Sequence, residues 1–359
     1  MSLTKLGWNA KRDEQFAPHL AKGLVPARVA VEDKHFYRVW TVGAELTAQV
    51  TGKFIHESRS DHSKLPKVGD WVAVKLVGGE EKATIHAILP RTTKITRKTS
   101  GRDTAAQILA TNVEIVFLVT AADSTFNAAR LERMLVMAHD SGARPVVVLN
   151  KIDLCAELDA KLAEAQRAAG DVSVLAACAT TGKGVKKIAS LIKPGDTVVF
   201  IGTSGVGKSS LINWLYGEDL MPTVEVRESD AKGRHTTTWR EMIFLPKGGV
   251  VIDTPGMREF HLWDAALGAK EAFPEIEALA LTCHFTNCSH TQEKNCAVLA
   301  ALAAGKILRE RYESFVKLQG ELNYLREAEQ RAGWQSRTKS DRVAHRAFNK
   351  EVTHHKSRR

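Results

Sequence analysis

The stretch Gly202-Thr203-Ser204-Gly205-Val206-Gly207-Lys208-Ser209-Ser210 restricts the folds open to this chain more than any other. An apolar run at 198–201 precedes it and reads as a buried strand, and residues 211–215 follow as the first turns of a helix. Strand, G-x-x-x-x-G-K-S, helix is the context a phosphate-binding P-loop requires. The glycines let backbone N–H groups ring the phosphates, and the helix N-terminus adds a favourable dipole. In that arrangement Lys208 reaches the β- and γ-phosphates and Ser209 holds Mg²⁺. A mere glycine-rich turn between core elements has no need of Lys and Ser at this spacing. The stretch is therefore read as a nucleoside-triphosphate site.

Around it the chain changes character several times. Residues 1–26 are polar and irregular, and a flexible N-terminus is expected. Short alternating segments at 28–31, 37–42, 46–50, 71–77 and 84–89 predict a small antiparallel barrel over 27–98, with an OB-fold as the natural candidate. Such barrels bind single-stranded nucleic acid or structured RNA, and a spacer without a ligand fits the pattern equally. Arg91, Lys94, Arg97, Lys98 and Arg102 mark a basic linker out of the barrel. Beyond it, over 103–262, apolar strands alternate with helical segments, the pattern of a doubly wound, mostly parallel α/β sheet. It ends in a two-strand meander at 242–245 and 250–252.

Asn150-Lys151-Ile152-Asp153 follows the strand at 146–149 and suits guanine. An Asp carboxylate accepts from both N1–H and the 2-amino group, two charge-assisted bonds in one plane. Adenine offers a bare acceptor there and would leave the carboxylate unpaired. Cys178-Ala179-Thr180 follows the next strand, where GTPases often carry a Ser-Ala pair. Asp253-Thr254-Pro255-Gly256 supplies the metal side: Asp253 for a Mg²⁺-bound water, the Gly256 N–H for the γ-phosphate. Gly233-Arg234-His235-Thr236-Thr237-Thr238 lies where a nucleotide-sensing loop would be, and one of its threonines completes the Mg²⁺ shell. Met257 stands where a water-orienting Gln would be. His235 is the best-placed substitute, and contact with RNA is its equal alternative.

The guanine motif precedes the P-loop, whereas a standard GTPase has it after, so the sheet is closed from a different starting point. With that order, Gly-Arg-His-Thr-Thr at 233–237 and the cysteine pattern below, the chain resembles the circularly permuted, ribosome-small-subunit-dependent GTPases of the RsgA/YjeQ family. The resemblance implies GTP binding at Asn150, Lys151, Asp153 and Gly202 through Ser210. It also implies the small ribosomal subunit and its rRNA as partner, late in subunit maturation, with GTP hydrolysed to GDP and phosphate. The rivals are a GTP-regulated binder of another structured RNA, and a passive RNA-binding protein with little turnover.

Cys283, Cys288, His290 and Cys296 form a Cys₃His set within fourteen residues, out of five cysteines in the chain. Three thiolates and an imidazole suit tetrahedral Zn²⁺ with no open position, hence one structural ion per chain. His284 is not at the family's ligand position. The set anchors an α-helical subdomain over 263–330, where Ile307, Tyr312, Phe315, Leu318, Leu322 and Leu325 recur at helical spacing. The formal charge of +10 is concentrated in a basic extension, 331–359, with nine Lys/Arg against two acidic residues. That bias favours a polyanionic partner or a solubilising tail. No apolar run approaches the roughly 20 residues a membrane span needs, and no secretory signal opens the chain. A cytoplasmic monomer with no membrane partner is expected.

Overall fold

The computed structural model describes residues 2–33, 36–58, 61–98, 106–218, 240–253, 266–324 and 327. Five strands form the N-terminal barrel: β1 (Val25–Glu32), β2 (Tyr37–Trp40), β3 (Glu45–Val50), β4 (Trp71–Leu76) and β5 (Lys82–Ile88). They hydrogen-bond in the order β1-β2-β3-β5-β4, and β4 returns to β1, so the barrel is closed. In β3 exposed residues alternate with the buried Leu46 and Ala48, the period of a strand with one face inward. Ala27, Val29, Tyr37, Val39, Val72, Val74 and Ile85 fill the interior with them. A short helix, α2 (Gly52–Ser58), links β3 to the segment before β4. The barrel is OB-like, as its five sequence segments suggested, and antiparallel except where β3 pairs with β5 in parallel.

The α/β layer follows with β8 (Ile115–Ala121), α3 (Ala128–Asp140), β9 (Arg144–Asn150), α4 (Leu158–Ala169), β10 (Val174–Ala176), α5 (Val185–Leu191), β11 (Thr197–Ile201), α6 (Lys208–Tyr216), β12 (Arg240–Phe244) and β13 (Val250–Asp253). Its order is β10-β9-β8-β11-β13-β12, parallel except for β12. Every residue of β8 is buried because helices cover both faces. Val116 and Leu118 pack into one cluster with α3 and α4, while Ile115, Phe117 and Val119 join the other with α5 and α6. The outer strand β12 also pairs with β1 at Glu241–Val31 and Arg240–Glu32, so barrel and α/β layer share one hydrogen-bonded sheet. Arg38 bridges the junction to Glu241 at 3.2 Å, and Trp40 stacks on Phe244 at 4.8 Å.

C-terminal to this lie α7 (Ala266–Ala272), α8 (Pro274–Ala280), α9 (Ala297–Ala303) and α10 (residues 309–324). The apolar stripe read from the sequence is core: Ile307, Phe315, Leu318 and Leu322 are buried, and Phe315 meets Phe273 edge-on at 5.6 Å. Leu325 and the whole extension 331–359 lie outside the described residues.

Two expectations are corrected. Residues 1–26 are not irregular: a 3₁₀ turn (Leu3–Leu6) and α1 (Ala10–Leu20) are seated on the body. The helix looks polar because it buries only Arg12 and Phe16. Asn9 caps it, and Trp8 packs edge-on against Phe16 and Trp71. The supposed basic linker contains β6 (Lys94–Lys98), which forms an antiparallel hairpin with β7 (Ala106–Thr111). Its alternation is short and its strands are split by the 99–105 segment, which hid the pairing.

Arg28 in β1 ties these parts together. Its guanidinium, 1% exposed, donates to the carbonyls of Leu6, Gly69 (3.3 Å) and Asn112 (3.1 Å) and to the Thr197 hydroxyl (2.7 Å), over the Trp71 ring. Thr197 opens β11, whose other end is the P-loop. Burial lowers the Arg28 pKa to about 10, and Glu114 opposes the shift. Glu114 is itself pushed up by burial, with Arg28 and the Thr197 N–H (2.6 Å) pulling the other way. Gly69 has φ +94°, and a Cβ there would lie 2.2 Å from the Thr111 carbonyl, so the turn entering β4 closes tightly on β7. Removing a buried donor leaves its acceptors unsatisfied, at a cost of about 1–3 kcal/mol for each buried group. Arg28→Ala is expected to destabilise the protein on that scale, measured as a loss of unfolding free energy in urea; a change below about 1 kcal/mol would contradict the anchoring role.

Candidate nucleotide site and metal centre

The sequence-derived groups converge at the carboxyl ends of β9, β11 and β13, where α/β sheets bind ligands. At the end of β11, Gly202 passes so close to β8 that a Cβ would lie 2.3 Å from the Val119 carbonyl. Gly207, with φ +92°, leaves no room for a Cβ beside the Asn150 amide. Lys208 opens α6, with Ser209 and Ser210 in the same first turn. The Lys208 ammonium donates to the carbonyls of Gly202 (2.9 Å) and Thr203 (2.8 Å), which holds the cation over the loop.

Asn150 ends β9 and is 1% exposed. Its Nδ2 donates to the Val206 carbonyl at 2.8 Å, and its Oδ1 accepts from the Ala179 N–H at 3.1 Å. One carboxamide thus joins the P-loop to the turn after β10. Lys151 adopts a left-handed conformation, φ 59°, and its ammonium lies 3.7 Å from Asp123. Burial works against ionisation of Asp123, but the hydroxyl and N–H of Thr125 and nearby Lys151 hold its pKa below the usual range. Asp123 escaped sequence reasoning; its only signal was an acid just past the end of a strand. Asp153 accepts from the Cys178 thiol, Sγ to Oδ1 3.1 Å, and Cys178 is fully buried. Asp253 ends β13, which runs parallel to β11 in the register Val199–Ile252, so it reaches the same edge as the P-loop. His235, Thr236, Thr237, Gly256 and Met257 lie outside the described residues.

The metal-binding candidates are gathered as the spacing suggested. The ligand atoms of Cys283, Cys288, His290 and Cys296 all lie within 4.8 Å of one another. Cys283 Sγ is 3.8 Å from Cys296 Sγ and 3.6 Å from His290 Nδ1, and Cys296 Sγ is 3.5 Å from His290 Nδ1. A tetrahedron with bonds of about 2.3 Å to sulfur and about 2.0–2.1 Å to nitrogen has edges of about 3.8 and about 3.5 Å, so the four residues fit such an ion. Cys296 also caps α9, its Sγ accepting from the Leu299 N–H. Burial raises the Cys283 thiol pKa, but hydrogen bonds from the Ala297 and Val298 N–H groups and from Cys296 and Cys288 together leave the thiol below its ordinary range. The Tyr312 hydroxyl donates to the His290 carbonyl at 2.8 Å and secures the left-handed turn there, φ 60°. His284 is outside the set and packs edge-on against Phe285.

A P-loop, a guanine-type motif with one strand between them and an Asp at the neighbouring strand end, in permuted chain order, define a circularly permuted GTPase. Residues 88–263 match the family model described as RsgA GTPase. The small ribosomal subunit biogenesis GTPase RsgA of Opitutus terrae is 44% identical over 333 residues, 90% of each chain. A second relative of that name, RsgA 2 of Lactiplantibacillus plantarum, is 44% identical over 84% of each. The crystal structure of YjeQ from Thermotoga maritima aligns over 83% of this chain and 98% of its own, with a TM-score of 0.63 and 27% identity. YloQ, a circularly permuted GTPase, shares the fold at a TM-score of 0.59 and 24% identity, covering 84% of this chain and 95% of its own. The chain belongs to the RsgA GTPase family.

Purified protein is expected to carry one bound metal ion per chain. Cys283→Ala or Cys296→Ala should release it and unfold the segment after about residue 275, while GTP binding persists. Elemental analysis and limited proteolysis check this, and a metal-free wild-type protein with the segment intact would refute it.

Proposed function

We propose that this GTPase binds the small ribosomal subunit, acts in its late maturation, and hydrolyses GTP to GDP and phosphate at a rate the subunit raises. The observation that carries the proposal is a permuted GTP site flanked by an OB-like barrel and a Cys₃His subdomain, in a chain whose 44%-identical relatives are named for small-subunit biogenesis. The working division is a barrel over 27–98, a G domain over 103–262, a zinc subdomain over 263–330 and a basic extension over 331–359.

In this reading Asp153 takes the guanine N1–H and 2-amino group, and Asn150 fixes the loops around the base. Lys208 turns from the loop carbonyls to the β- and γ-phosphates, and the loop from Gly202 to Ser210 supplies backbone N–H groups. Mg²⁺ bound with GTP would neutralise charge on the phosphate oxygens. Ser209, Asp253 and one of Thr236 and Thr237 would hold it, and the Gly256 N–H would meet the γ-phosphate. Zn²⁺ is the proposed occupant of the Cys₃His centre, in a structural role. In this reading the protein is a cytoplasmic monomer engaged with ribosomal RNA. Among the described residues no helix is long and apolar enough to cross a membrane.

Three measurements test the proposal. GTP turnover with isolated small subunits should exceed turnover without them many-fold; equal rates would reject the assignment. Asp153→Asn should weaken GTP binding strongly and relax discrimination against xanthine nucleotides, since Asn can donate where xanthine has a carbonyl; unchanged GTP affinity by titration calorimetry would remove Asp153 as the base reader. His235→Ala should keep GTP and subunit binding but lower stimulated kcat by roughly 10²-fold, the effect of losing a positioned acid–base group. Full stimulated kcat in that variant excludes His235 from the chemistry.

A further inference from the structure

Asp153 is aimed from outside its own turn. Between β10 and α5 the chain closes a small loop, with the Cys178 N–H donating to the Lys183 carbonyl at 2.8 Å. From the base of that loop the Cys178 thiol points at Asp153 Oδ1. Beside the closing Lys183, Gly182 is in the left-handed region at φ +74°. A Cβ built there would lie 1.9 Å from Cζ2 and 2.4 Å from Cε2 of Trp214, so the glycine backbone rests directly on the indole. Trp214 belongs to α6, the helix that Lys208 opens, and its outer part faces solvent at 43% exposure. Here both the absent side chain and the left-handed backbone let the loop approach the ring.

A thiol is a weak donor, so it does not orient a carboxylate through bond strength. Its effect depends on being placed, and the placement comes from the loop and its seat. Guanine differs from hypoxanthine only by the 2-amino group, so reading it requires the Asp153 carboxylate to be coplanar with the base. We propose that Trp214 is a positioning residue for guanine selectivity. The indole seats the 178–183 loop, the loop aims the Cys178 thiol, and the thiol keeps Asp153 turned to accept both N1–H and the 2-amino group. This rests on the reading of Asp153 as the base reader. It adds that selectivity for a 2-amino-6-oxopurine over a 6-oxopurine is held by the phosphate-side helix.

The test is the ratio of GTP to inosine triphosphate affinity, measured by titration calorimetry with Mg²⁺ on the full chain. Trp214→Ala should narrow the ratio by about threefold or more, a partial loss of the charge-assisted bond between the 2-amino group and the Asp153 carboxylate, and Trp214→Phe should restore most of it. A purely structural tryptophan would weaken both nucleotides by the same factor, and an unchanged ratio in a folded Trp214→Ala protein overturns the proposal. If that variant does not fold, Cys178→Ala decides: it leaves the seat intact and should narrow the ratio, with Cys178→Ser keeping it. An unchanged ratio in Cys178→Ala likewise overturns the proposal. Asp153→Asn separates the two levels. If it leaves GTP affinity intact, the base-reading assignment itself falls; if it weakens GTP while Trp214→Ala keeps the ratio, only the seat falls.

Discussion

The buried carboxamide of Asn150 is the interaction on which the nucleotide site depends. It spends one atom on the P-loop carbonyl of Val206 and the other on the N–H of Ala179. Phosphate and base elements that come in permuted order along the chain are thereby fixed to each other in space. The close passages of Gly202 under β8 and Gly207 beside Asn150 serve the same end. A ligand whose base and phosphates are bound by different elements needs them at a fixed separation, and a fully satisfied buried amide sets it better than a surface contact can.

A second constraint operates at the opposite end of β11. Arg28 is a desolvated cation with four acceptors drawn from the N-terminal turn, the barrel, the hairpin junction and the first residue of the P-loop strand. A buried charge tolerates no loss of partners, so these four segments must arrive together. The β12–β1 pairing makes a further connection between barrel and α/β layer, at Glu241–Val31 and Arg240–Glu32. The barrel is thus joined to the α/β layer at two places, the start of the P-loop strand and β12.

The C-terminal subdomain solves a different problem. Residues 281–296 bury little of their own: Leu281 is 88% exposed and Phe285 lies open beside His284. Four metal-type ligands converge there instead of an apolar cluster, and α10 supplies the core beneath them through Phe315 and Tyr312. Arg311 then fastens that subdomain to the G domain, with Glu132 at 2.9 Å, Glu275 at 2.5 Å and its guanidinium over Phe273. Burial raises the Glu132 carboxyl, opposed by Ser314 and Arg311, which makes this another contact that depends on all its partners being present.

By itself the sequence determined whatever is written in adjacent residues. The P-loop, the guanine motif, the five barrel strands and the Cys₃His spacing are local patterns whose chemistry survives without knowledge of the neighbours, and the structure brings the described ones together. Tertiary structure alone decided the rest. The N-terminal helix was hidden because it docks through an arginine and one phenylalanine rather than an apolar stripe, and β6 because a basic strand reads as a linker. Arg28, Asp123 and Trp214 carry no motif at all. Apart from the Thr125 bonds to Asp123, what they touch lies tens of residues away, and the energy of a buried charge or of a glycine resting on an indole exists only once the fold has closed around it.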